Sequence, residues 1–367
     1  MSILNKPYIG IILGIQIILL SCNDGPSNLA VVNNVKSVSF NKEMNEQHLE
    51  PILYKKVNGS LSRFILRDSI VYFSDYHNTH YILNVLNIYS DTNTIHRTIP
   101  YGTGPKELSY VNDLSLVSDT IVQIVDRNIN RIFQFSINDI KYRQNPDPYI
   151  ALFIKDYFPK EPIQISSNKW LSNLLMVGDF KSQFILFDSS QQVQETDIAY
   201  PKIDRKFQYF FLPEVFNCSM CYNEVDKILA VAYYHMELIE LITTKDTVKK
   251  ILTLTGDRSI QPNFEPVTTE EGAMILEWTD DVHEVFFSIQ CNHEYLFVAY
   301  RDPTKPVINE SWHDTILVMD WEGNLISRLK LSVPITGLFD VDFENNQILA
   351  VSEVDDKGFV LYEYDEL

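Results

Sequence analysis

An all-β fold assembled from one repeated sheet is what this sequence predicts, and three observations predict it. Apolar runs start at Ile70, Ile121, Leu174, Ile228, Tyr295 and Ile348, so that successive starts lie 51, 53, 54, 67 and 53 residues apart. A near-constant interval with one outlier marks a repeated supersecondary unit that carries one insertion. Turn signals precede the runs at Arg67-Asp68, Ser118-Asp119, Asn168-Lys169, Asp226-Lys227, Asn292-His293 and Asn345-Asn346. Finally, ILAVAY, YLFVAY and IVQIV are apolar at odd and even positions alike, so both faces of these strands must be covered. Amphipathic helical segments that could cover them are missing between the runs. Short antiparallel sheets that shield one another around an axis meet both demands, and the expected architecture is a six-bladed β-propeller.

Residues 101–136 show the unit most clearly: a Gly/Pro turn, a strand from Asp113, an apolar strand from Ile121, a polar turn from Arg127 to Asn130 and a third strand from Ile132. In the other units third strands are expected at 81–86, 184–187, 238–242, 316–319 and 359–364, with fourth strands such as 248–254 and 325–331. The sixth unit ends at Leu367 after three strands. Residues 35–40 (VKSVSF) alternate suitably to supply its missing outer strand, which would close the ring and hide an edge open to aggregation. The expected organisation is a leader over 1–21, a tether over 22–34 and a single propeller over 35–367.

The leader has Lys6 ahead of an apolar run at 8–20 that ends in Leu19-Leu20-Ser21-Cys22. Such a run is short for a bilayer of about 30 Å and has the proportions of a signal-peptide core. It resembles a bacterial lipoprotein signal, in which Cys22 is acylated and becomes the new N-terminus; an uncleaved anchor is the alternative. Either places the body outside the cytoplasm. The net charge of -19 sets up a field that repels phosphate backbones and anionic bilayers. Nucleic acid is therefore excluded as a partner, and membrane contact is expected only through the lipidated Cys22. An apolar content of 45% supports a large core.

Gly102, Gly104, Pro105, Asp126, Asn130, Arg131 and Ile132 give the second unit a pattern that resembles the NHL-type repeat. With the leader, residues 35–367 resemble the TolB-like six-bladed propeller lipoproteins of Bacteroidetes, although only the second unit matches at motif level. The resemblance implies a lipid-anchored propeller of the cell envelope, attached to the outer membrane on its periplasmic or surface side. The expected role is a binding or protein-interaction module for an envelope protein or a small ligand. The alternative is a propeller hydrolase or lyase using an axial divalent metal, since this architecture hosts scaffolds and enzymes alike.

No motif assigns a catalytic residue, a cofactor or a resident metal. Gly102-x-Gly104 precedes a strand, which excludes a dinucleotide fingerprint, and there is no G-x-S-x-G, H-E-x-x-H or P-loop. Asp113 and Asp340 each fall eight residues before a second strand, on what should be innermost strands beside an axial channel. They are candidate ligand-binding carboxylates, for calcium or another ligand, against the plainer reading of solvated channel acids. His77 and His80 share one turn and form a candidate metal pair without a third ligand. Cys218, Cys221 and Cys291 admit three readings: apolar core residues, a disulfide between two of them, or a metal site. The long interval holds Thr268-Thr-Glu-Glu271, a capping-box pattern ahead of residues 274–278 that predicts a short helix or lid there. Trp278 and Trp312, on either side of unit five, mark the expected contact surface.

Overall fold

The computed structural model describes residues 34–367 except 42–44, 58–60, 77–79, 93, 155–158, 175–180, 204–206, 259, 261, 270–271, 280–282, 304–312 and 353–357. Blade one comprises Leu61–Arg67, Ile70–Asp75, Tyr81–Asn87 and Ile95–Pro100, from the axis outward. Blade two follows with Asp113–Ser118, Ile121–Asp126, Arg131–Ser136 and Ile150–Phe153, and blade three with Ile163–Ser166, Lys169–Asn173, Phe184–Asp188 and Val193–Glu195. Blade four is Cys218–Asn223, Ile228–Tyr233, Leu238–Thr243 and Lys249–Gly256. Blade five is Phe286–Cys291, Tyr295–Tyr300 and His313–Asp320, completed by the first part of the 18-residue strand Leu325–Asp342. The second part of that strand is the inner strand of blade six, followed by Gln347–Ser352 and Gly358–Glu363.

The second strands are buried on both faces, as their unbroken apolar sequences require. What covers them is the neighbouring blade. Among the described residues six apolar clusters form, one at each seam. They are centred on Leu83 and Ile124 (blades one and two), Ile132 and Trp170 (two and three), Leu171 and Val231 (three and four), Ala230 and Val298 (four and five), and Val318 and Val360 (five and six). The sixth joins Phe64 and Phe73 of blade one to Leu349 and Phe359 of blade six, which closes the circle. Phe359 meets both phenylalanines edge-on at 5.1 and 5.7 Å, each such pair adding about 1 kcal/mol beyond the area buried.

The N-terminal segment departs from the expected pairing. Residues 35–40 do not join the last sheet. Asn34–Val38 instead lies parallel to Lys249–Gly256 on the outer edge of blade four. Glu46–Leu49 then lies parallel to Leu325–Asp342 beside blade five, and Pro51–Lys56 pairs antiparallel with Gly358–Glu363 as the outer strand of blade six. Alternation in VKSVSF correctly points Val38 and Phe40 inward, at 7% and 1% exposure. They bury against Phe286 and Tyr300 at the seam of blades four and five. Pro51 opens an edge strand, where its missing N–H costs no ladder bond.

Two further expectations change. The second strand of blade three is Lys169–Asn173, ahead of Leu174, because buried Ser172 and Asn173 interrupt the apolar run that would have marked it; residues 175–177 lie outside the described residues. The insertion before blade five holds no helix at 274–278: Phe264–Thr268 and Met274–Trp278 form an antiparallel hairpin. Its turn uses Gly272 at φ +83°, where a side chain would be strained. Thr269 Oγ1 accepts from the Ala273 N–H at 3.2 Å, a turn contact in place of a helix cap.

Candidate functional site

The six inner strands surround an axial channel of about 1010 Å³. One end, the head, lies where second strands finish and turn back; the other, the foot, carries the turns between first and second strands. Both predicted aspartates line the channel. Asp113 stands opposite Val125 at the head, whereas Asp340 stands opposite Leu349 towards the foot. The structure therefore does not bring the two carboxylates together.

The head is built from the motif of blade two outward. Asp126, fully buried, accepts from Ser109 N–H at 2.6 Å, Tyr110 N–H at 3.1 Å, Asn128 N–H at 3.1 Å, Ile129 N–H at 3.3 Å and the Ser109 hydroxyl at 3.0 Å. Arg131 Nη1 donates to the Gly104 carbonyl at 2.8 Å. The repeat-like residues are thus the fastening of the loop that leads into the inner strand. That loop delivers Asn112, whose Oδ1 accepts the Arg127 N–H at 2.7 Å and whose carbonyl accepts Arg63 Nε at 2.9 Å. Tyr110 stacks on Tyr76 at 4.3 Å, and the Tyr76 hydroxyl donates to the Val111 carbonyl. Two arginines from different blades are placed side by side in this way.

Blades three to five supply the facing wall. Lys160 Nζ donates to Asn217 Oδ1 and to the Cys218 carbonyl, and lies 5.2 Å from the centre of the Tyr234 ring. Glu161 is held at its backbone by Asn173 Oδ1 and stands 3.8 Å from Lys160 Nζ. Tyr234 stacks on Phe287 at 5.2 Å. Gly337, at φ +86°, lets the strand of blade six pass this ring, since a Cβ there would stand 2.7 Å from Phe287 Cγ.

Burial and charge together set the chemistry. Desolvation, then the charge of Glu161, pushes the Asp113 carboxyl up to about 6, against the pull of Arg63. Desolvation lowers Arg127, and the neighbouring positive charge of Arg63 lowers it further. For Arg63, burial opposes its charge, but Tyr234, Glu161 and Asp113 raise it on balance. Towards the foot, burial pushes Asp340 up to about 7 even though its Oδ2 accepts the Leu66 N–H at 2.6 Å across the seam to blade one. Arg67 there lies 3.3 Å from Asp119 and 3.4 Å from Glu344.

Of the three cysteine readings the structure selects a disulfide. Cys221 and Cys291, with Cα atoms 6.0 Å apart, link the inner strands of blades four and five, while Cys218 is a free, buried thiol. Among the described residues no three His, Cys, Asp or Glu side chains gather as a metal would require. Trp278 ends the second strand of the inserted hairpin. Cys22, His77 and Trp312 lie outside the described residues. Sequence reasoning missed Arg63, Arg127, Glu161 and Tyr234, which follow one another at intervals of 64, 34 and 73 residues and share no local motif. The one available signal was an arginine inside an apolar inner strand, Ser62-Arg-Phe-Ile-Leu66, of an acidic chain.

Fold and site together define a six-bladed propeller with a polar axial channel. The sequence model for TolB-like 6-blade propeller-like proteins matches residues 60–345, and the chain belongs to that family. No curated protein resembles it in sequence. Among solved structures it is similar to a member of the DUF4221 family from Bacteroides vulgatus, with TM-score 0.54 and 12% identity over 87% of this chain and 96% of that one. A candidate exported protein from Bacteroides fragilis is similar with TM-score 0.56 and 10% identity, over 91% and 100% of the two chains. At these identities the likeness is one of fold.

Proposed function

We propose that the protein is a binding module of the cell envelope, held at the outer membrane by lipid on Cys22, with the axial channel as its ligand site. The observation that carries the binding reading is the channel itself, a space of about 1010 Å³ with charged groups gathered at its head. Pockets of this size with a few convergent polar groups are the usual form of a ligand site. The anchoring reading is supported by the run ending in Leu20-Ser21-Cys22 and by the exported character given to the Bacteroides fragilis neighbour. Among the described residues no helix is long and apolar enough to cross a membrane. The acidic body has no need of an adhesive face of its own if acyl chains hold it.

Fractionation of cells that express the full chain tests the anchor. Wild type should stay with membranes until detergent is added, and Cys22→Ala should appear in the soluble fraction; equal partition of the two overturns the anchoring. Thermal melting of the detergent-purified full chain tests the channel. A small-molecule extract of the envelope should raise the melting temperature of wild type and not that of Ser219→Trp, which fills the channel. An unchanged wild type, or an equal rise in both, would falsify the channel as the ligand site.

A further inference from the structure

We infer that the head of the channel is an oxyanion site, in which Arg63 on the channel wall, backed by the neighbouring Arg127, takes the carboxylate or phosphate of a small polyhydroxylated ligand whose body lies along the channel. The inference deepens the binding reading above and rests on it.

Arg63 spends Nε on the Asn112 carbonyl and Nη1 on the Ser62 carbonyl, which leaves Nη2 uncommitted among the described residues. Arg127 makes its described hydrogen bonds through the backbone alone, its N–H donating to Asn112 Oδ1 and its carbonyl accepting from the Asn130 N–H, and its Nε is buried without a partner. Neither guanidinium forms an ion pair among the described residues. That is not for want of acids, since the chain carries 49 Asp and Glu against 30 Lys and Arg. The Arg63 charge is sustained on balance by Tyr234, Glu161 and Asp113, whereas burial and the adjacent Arg63 both work against the charge of Arg127, a repulsion that an anion bound between the two would relieve. A planar guanidinium with free N–H groups matches a carboxylate or phosphate oxygen pair better than any neutral group does.

The surroundings specify the rest of the ligand. Asp113 and Glu161 stand beside the arginines as hydrogen-bond acceptors, suited to hydroxyl groups next to the anion. Below them the wall presents the hydroxyls of Ser115, Ser219 and Ser288. At the foot Glu224, Glu294 and Glu344 line the opening, so the potential along the axis directs a negative group to the head. A sugar acid or a sugar phosphate has this combination of one oxyanion and several hydroxyls.

The test is calorimetric titration of the full chain in detergent with D-glucuronate, D-glucose 6-phosphate and D-glucose. At least one of the two anionic sugars should bind at least tenfold more tightly than glucose, glucuronate marking a carboxylate site and glucose 6-phosphate a phosphate site. Arg63→Gln and Arg127→Gln should each weaken that binding tenfold or more. If Arg63→Gln melts early, Arg127→Gln, in a turn, carries the same test, and Arg63→Lys should recover part of the loss. Glucose binding as tightly as both anions overturns the oxyanion site while leaving the channel as a ligand site. Silence from all three sugars, or anion binding that survives both substitutions, overturns the inference outright, and the extract melt then judges the binding reading separately.

Discussion

Cutting the Cys221–Cys291 link should measurably loosen the propeller, and the size of the effect follows from the chain. The bridge closes a loop with a sequence separation of 70 residues. Chain-entropy reasoning gives a loop of that length about 15 cal/mol/K, or about 4 kcal/mol at 25 °C, taken from the unfolded state. The native state already holds the two Cα atoms 6.0 Å apart on adjacent inner strands, within the range a disulfide spans. Cys221→Ala with Cys291→Ala removes the link and leaves small apolar side chains at the seam. Urea unfolding of the oxidised protein and the double variant should differ by about 2–4 kcal/mol, with most of the loss reproduced by reductant on wild type. In a domain of this size that corresponds to roughly 3–6 °C in melting temperature. Thiol titration gives an independent reading. The Cys218 thiol is buried and pushed up to about 12, so the native body should show no reactive thiol and the unfolded body one. Coincident urea curves, or three thiols in the unfolded body, would sink the reasoning.

Gly337→Ala should destabilise by about 1–3 kcal/mol, because it adds a strained positive φ to a collision with the Phe287 ring; an unchanged midpoint in urea would show that the strand can shift aside. Asp340, raised from 3.8 to about 7, favours the folded state in its protonated form, so its contribution is complete below about pH 4 and is lost as pH rises through 7. His235, lowered to about 4 by burial, acts in the opposite sense between pH 6.5 and 4, so the informative quantity is the difference between two proteins. Asp340→Asn should melt several degrees above wild type at pH 8, with the gap closing towards pH 5; a gap that widens on acidification refutes the assignment. Gln123→Leu should cost about 2–5 kcal/mol in chemical denaturation, since it strands Trp170 Nε1 (3.0 Å) and the Pro162 carbonyl (2.6 Å) inside the seam of blades two and three. A loss below about 1 kcal/mol would mean that these groups find other partners.

The architecture was legible because its signal is redundant: runs such as Ile228–Tyr233 are apolar on both faces, and they repeat. Where the signal was not redundant, reading failed in ways that have physical causes. Residues 35–40 alternate correctly, but alternation tells which side of a strand is buried and not which edge receives it. Lys169–Asn173 was invisible because Ser172 and Asn173 are polar residues buried with hydrogen bonds rather than with apolar partners. Thr268 to Glu271 has a helix-start spacing, yet Val267 and Ile275 are β-branched and pair across a hairpin. The charged head of the channel was the least legible part. Asp113 could be placed on its strand by spacing alone, but Arg63, Arg127, Glu161 and Tyr234 meet only because four blades converge on one axis.

The course of the first described residues bears on how the ring can be assembled. Strands near the amino terminus finish or extend three blades whose remaining strands come from the far half of the chain: Leu252 opposite Asn34, Leu329 opposite Gln47 and Val360 opposite Tyr54. A ribosome releases the early partners long before the late ones exist, so these sheets cannot mature in the order of synthesis. The Asn34–Val38 strand must wait for residues 252–256, and Pro51–Lys56 has no partner until nearly all of the chain is available. Loss of Pro51–Lys56 or of Gly358–Glu363 would therefore open the same sheet, blade six, from opposite ends of the chain.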